Sequence, residues 1–103
     1  RMLIRSQDRK QLHPLNSIAI IPKHKRKLNN KNFIEGYQVV IFIGSDGDAI
    51  LGTYSTEEKA IKVLDMICED YKCPDFQNCI GENEVAIYKH IVFQMPQDEE
   101  VEA

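Results

Sequence analysis

A chain of 103 residues, 43% apolar and 28% charged, is long enough for one domain with one core and leaves little room for a deep substrate pocket. No apolar run approaches the roughly 20 residues that span a bilayer, and three cysteines behind a start without a signal-peptide core point to reduced thiols in a cytoplasm. The net charge of −3 hides an asymmetry. Residues 1–32 hold nine of the thirteen Lys and Arg and one acid, Asp8, a net of +8, whereas residues 33–103 hold the other four and fifteen acids, a net of −11.

In chain order, residues 2–6 read as a short strand, followed by a polar turn at Gln7-Asp8-Arg9-Lys10. Pro14 and Asn16 punctuate the chain before a second apolar run, 17–21. Pro22 ends that run or marks a sheet edge, because proline cannot donate to a central ladder. Residues 23–32, with five basic residues and three Asn around Leu28, read as a mobile basic loop. Residues 37–43 and 49–54 are strands joined by Ser45-Asp46-Gly47-Asp48, a hairpin signal because the turn needs positive φ. Residues 39–43 are apolar throughout, so both faces of that strand want cover.

Ser55-Thr56-Glu57-Glu58 has the Ser-x-x-Glu form of a capping box. A helix is predicted to about Lys72, with Ala60, Ile61, Leu64, Ile67, Cys68 and Tyr71 on its buried face. Cys73-Pro74 ends it, and residues 75–83 form a loop. Residues 85–95 are a strand, with Lys89 out of place in its apolar row and marking a bulge. Pro96 stops that strand, and residues 97–103 are an acidic tail expected to fray. The predicted fold is one α+β domain over 1–103: a single antiparallel sheet of about five strands, flat or curled, with one helix, in the order β-β-β-β-α-β. One helix about 10 Å across covers two or three strands spaced about 4.8 Å. The remaining apolar surface calls for a curled sheet or a homodimer.

Candidate chemistry is sparse. Three His and three Cys lie in no nucleophile-elbow or comparable local context, so no catalytic residue is predicted. Cys68, Cys73 and Cys79 with His90 have loose spacing for zinc, and Cys68 lies on the apolar face as an inert small hydrophobe. Asp46-Gly47-Asp48 lacks the rest of a calcium loop. Neither metal nor cofactor is expected. The remaining feature is Lys23-His24-Lys25-Arg26-Lys27, a run that attracts polyanions through counterion release. Arg5, Arg9 and Lys10 extend it if the two segments converge.

Three segments carry a resemblance: Leu3-Ile4-Arg5-Ser6-Gln7-Asp8; Leu51-Gly52-Thr53-Tyr54-Ser55-Thr56-Glu57-Glu58-Lys59-Ala60 with Val63-Leu64-Asp65-Met66-Ile67; and Val92-Phe93-Gln94-Met95-Pro96. In these the chain resembles a group of short proteins of Firmicutes and of their prophages and mobile elements. The resemblance implies a small accessory or counter-defence protein that acts by binding, and transfers no catalytic residue. The leading expectation is a non-catalytic, cytoplasmic, homodimeric binding protein that captures a nucleotide signal or nucleic acid through Arg5, Arg9, Lys10, Lys23, Lys25, Arg26 and Lys27. The alternative is an acidic face, Glu57, Glu58, Glu69, Asp70 and the tail, that binds a host protein or mimics nucleic acid. A small enzyme is a remote third.

Overall fold

The computed structural model describes residues 2–26, 32–72 and 91–103. Its elements run β1 (Met2–Arg5), β2 (Leu12–Pro14), β3 (Ile18–Arg26), β4 (Asn32–Phe42), β5 (Asp48–Tyr54), α1 (Glu57–Lys72) and β6 (Ile91–Gln94). The α+β class is as expected, but the single antiparallel sheet is not. The described strands form two sheets of three, β2-β1-β6 and β3-β4-β5, and β1 pairs with β6 in parallel. The chain changes sheets after β2, where Asn16 donates its side-chain amide to the Phe42 carbonyl and opens the β3 ladder.

Alternation sets the inner face of each sheet. Met2, Ile4, Phe93 and Met95 point inward from the first sheet, and Val39, Ile41, Leu51 and Tyr54 from the second. They meet Ala60, Val63 and Ile67 of α1 in one cluster. The buried helical stripe is thus turned from the predicted one: Ile61 and Tyr71 are largely exposed and Cys68 is exposed, while Val63 is buried. The cap is shifted too. Thr56 Oγ1 accepts the Lys59 N–H at 3.1 Å, so Thr56 rather than Ser55 closes the first turn.

Two segments expected to be irregular are ordered. β3 runs through Pro22 to Arg26, so residues 23–26 are strand and not loop, and Asn32 already belongs to β4. Residues 27–31 lie outside the described residues. Pro22 fits because β3 is an edge strand. The acidic tail does not fray: Asp98–Glu100 form a 3-10 turn and Val101 is buried. The loop predicted at 75–83, residues 85–90 and the irregularity at Lys89 lie outside the described residues.

The two sheets are joined through Gln7. A bulge in the β4–β5 ladder sets Leu51 and Gly52 opposite Val39, and Gln7 N–H donates to the Leu51 carbonyl at 2.6 Å. The Gln7 side-chain amide then takes the place of a strand residue. Its oxygen accepts the Thr53 N–H at 3.0 Å, and its nitrogen donates to the Thr53 carbonyl at 3.2 Å and the Pro96 carbonyl at 3.1 Å. Gln97 donates back to the Gln7 carbonyl, and Tyr54 OH donates to the Pro96 carbonyl at 2.7 Å. Gly52 leaves the space this needs, since a Cβ there would lie 3.2 Å from Gln7 Cβ and from the Tyr54 hydroxyl.

Replacing Gln7 by Ala strands the Thr53 N–H and carbonyl and leaves the Pro96 carbonyl to the Tyr54 hydroxyl alone, and urea unfolding should report a loss of roughly 2–4 kcal/mol. Gln7→Glu should be no better at neutral pH, because its second oxygen faces two carbonyl acceptors.

Candidate functional site

The basic run lies on a two-stranded arm. β4 pairs with β5 only as far as Tyr37 opposite Tyr54, whereas its pairing with β3 continues to Asn32 opposite Arg26. Beyond that last three-stranded rung, β3 and β4 project as a ribbon. At the base of the ribbon Gly36 lets β5 leave the sheet, since a Cβ there would come within 3.0 Å of the Tyr54 carbonyl.

A second bulge organises the charges. The register shifts between Lys23, opposite Gly36, and His24, opposite Ile34, leaving Glu35 as the extra residue. Its carboxylate lies 3.7 Å from Lys23 Nζ and 3.8 Å from Lys25 Nζ. All three side chains are exposed, with Lys25 the most open at 62%. Each such pair contributes at most about 1 kcal/mol, so Glu35 reduces the local charge without locking the lysines. Arg26 ends β3, and Lys27 lies outside the described residues.

Arg5, Arg9 and Lys10 do not join this arm. Arg5 ends β1 and Arg9 and Lys10 sit in the corner after it, all three exposed. Ser6 Oγ donates to Asp8 Oδ1 at 2.5 Å and accepts the Gln11 N–H, Asp8 accepts the Lys10 N–H, and Arg9 takes a left-handed φ of 65°. This corner caps the outer edge of β5 through Gln7, while β3 forms the opposite edge of the meander. The six of these cations that lie among the described residues thus form two groups with β4 and β5 between them. A helix-period or charge-count reading had no means of finding that split, because it depends on which strand each turn caps.

Three open clefts are lined by described residues away from the arm. An open cleft of about 180 Å³ is bounded by His13, Leu15, Asn16, Phe42 and Ile43, and others touch Tyr71 or Val101. Among the described residues no three His, Cys, Asp or Glu converge as metal ligands, and no helix is long and apolar enough to cross a membrane. Cys73, Cys79 and His90 lie outside the described residues.

The tail is fastened to the start of α1. Asp98 Oδ1 accepts the Ser55 N–H at 2.8 Å and its hydroxyl at 3.2 Å, and Lys59 Nζ donates to the Asp98 carbonyl at 2.9 Å. The Ser55 N–H, ahead of the Ser55 hydroxyl and Lys59, holds the Asp98 carboxyl below its ordinary value of 3.8 against a smaller opposing desolvation. Comparison with family models, curated proteins and solved structures gives no match.

A depressed carboxyl pKa stabilises the folded state above the unfolded value, and that contribution is lost as pH falls through the folded value. Asp8, held low first by the Ser6 hydroxyl, acts in the same direction. Hydrogen exchange at Ser55 and at residues 98–101 should therefore accelerate as pH drops below 3.8, once corrected for the intrinsic rate. In Asp98→Ala these amides should already be unprotected at neutral pH.

Proposed function

We propose that the protein is a non-catalytic binding domain that captures a nucleic acid strand on the β3–β4 arm. The observation that carries this reading is the position of Lys25 and Arg26 on a ribbon that extends past the last rung with β5. A row of cations on an extended ribbon suits a polymeric backbone, which it can follow, better than a single nucleotide, which needs a walled cleft. Glu35 tempers the attraction, so binding is weak, salt-sensitive and independent of base sequence. Arg5, Arg9 and Lys10 are secondary in this reading, since they sit across the sheet.

The acidic-face alternative is less well supported. Asp98 is occupied by Ser55 and Lys59, and Val101 is part of the core, so the tail serves the fold and is not a free acidic strand. A cytoplasmic accessory or counter-defence role, as implied by the resemblance to short proteins of prophages, accords with a small nucleic-acid binder.

Fluorescence anisotropy with labelled single- and double-stranded oligonucleotides tests the reading. Affinity should fall steeply with salt, and Lys25→Glu/Arg26→Glu/Lys27→Glu should lower it by more than about tenfold at low salt and flatten the salt slope by about 2–3. The unfolding midpoint should remain nearly unchanged. Equal binding by wild type and triple variant would sink the proposal.

A further inference from the structure

The arm carries an aromatic ring as well as cations. Phe33 stands directly opposite Lys25 in the β3–β4 ladder, and residues paired in this way share a face, with Cβ atoms about 5 Å apart. Lys23 belongs to the same face, two residues along β3 and about 7 Å away. So does Glu35, whose carboxylate lies near both lysines. Phe33 is 38% exposed and stands outside the core cluster, past Tyr37, where β4 last pairs with β5. Two other Phe or Tyr rings among the described residues are exposed, and both keep acidic company. Phe42 pairs opposite Asp48, and Tyr71 follows Glu69 and Asp70. Phe33 is the exposed ring that stands among cations.

We infer that the arm takes a single strand in preference to a duplex, with a base stacked on the Phe33 ring and the neighbouring phosphates met by Lys23 and Lys25. This rests on the nucleic-acid reading above and specifies which form of nucleic acid that reading concerns. In a duplex each base face is covered by its neighbours in the stack, so the ring meets nothing and the cations act alone. In a single strand the base faces are open. An aromatic side chain accepts any of them, because every base has a π-face, and this agrees with binding that ignores base sequence.

Magnitudes make the ring the deciding contact. Two lysines and one glutamate leave this face a net of +1, so its pull on phosphate is slight and falls with salt. One stacked base contributes roughly five- to 150-fold in affinity. That contribution needs no net charge, and the exposed Glu35 carboxylate does not cancel it.

Fluorescence anisotropy at about 0.15 M salt, with labelled oligothymidine, an abasic strand of the same length and a duplex, provides the test. Wild type should prefer oligothymidine to either of the others by more than about fivefold. Phe33→Leu, which keeps an apolar strand residue but no ring, should lose that preference, and Phe33→Tyr should keep it. The salt slope of Phe33→Leu should match wild type, since no cation is removed. Its unfolding midpoint should move little, because Phe33 is already exposed. The chain has no Trp, so Phe33→Trp adds a single reporter whose emission oligothymidine should quench and the abasic strand should not. Wild type that binds all three probes alike, a Phe33→Leu variant that keeps the preference, or emission that oligothymidine leaves unquenched overturns the inference while strand capture by the cations stands. Wild type that binds none of the probes overturns both.

Discussion

Neither sheet contains a core of its own. The β2-β1-β6 sheet contributes only one inward row from β1 and one from β6, and the meander needs those rows to close over α1 and its own inner face. What holds the halves in register is the side chain of Gln7, which supplies Thr53 with the donor and acceptor that a neighbouring strand would have supplied. An amide is the side-chain group suited to this, since it presents one acceptor and two donors at the spacing of a peptide. The third valence is used on Pro96, which ties the chain after β6 to the same point. The bulge at Leu51, the bare backbone at Gly52 and the hydroxyl of Tyr54 all follow from making room for that amide. Burial and the nearby acids Asp98 and Glu100 push the Tyr54 hydroxyl well above its ordinary pKa, so it remains a donor to Pro96 at any ordinary pH.

The three segments that carry the sequence resemblance meet at this junction. Ser6, Gln7 and Asp8 form the corner, residues 51–54 form the edge it caps, and residues 94–96 close it from the far side. Gln94 donates to the Ser6 and Met95 carbonyls, while its own oxygen finds no donor among the described residues. Residues far apart in sequence and chemically plain are thus held together by hydrogen-bond geometry. Nothing in their composition reveals this, because a glutamine in a polar turn and a glutamine in an apolar strand look like ordinary solvent contacts.

Where local rules govern, the sequence was readable. The β4–β5 hairpin follows from two β-branched runs around Asp46-Gly47, the extent of α1 from its acidic first turn and apolar period, and the end of β6 from Pro96. Where tertiary context governs, it was not. Leu12-His13-Pro14 becomes a strand because β1 offers an edge. Lys23–Arg26, solvated by every compositional rule, becomes a strand because Asn32–Gly36 lies beside it. The apolar residues of α1 are broad enough to allow two overlapping stripes, and the sheet selects the one with Ala60 and Val63, whose small side chains permit close approach. The tail is ordered by two contacts no local rule contains, Asp98 on Ser55 and Val101 in the core. The candidate site shows the same division: the basic run was legible as charge, but its arm, its separation from Arg5, Arg9 and Lys10, and its partial neutralisation by Glu35 depend on strand pairing and a bulge.

The arm also shows why the charge asymmetry is compatible with a stable fold. An exposed edge strand with an apolar beginning, Ile18–Ile21, invites pairing with other chains, and proline and lysine on the edge are the usual defences. Pro22, Lys23 and Lys25 supply both at the place where β3 leaves the shelter of the sheet. In the nucleic-acid reading proposed above, the same cations would also meet a polyanion, because they stay exposed on the edge. Glu35 is close enough to both lysines to limit their mutual repulsion on that edge.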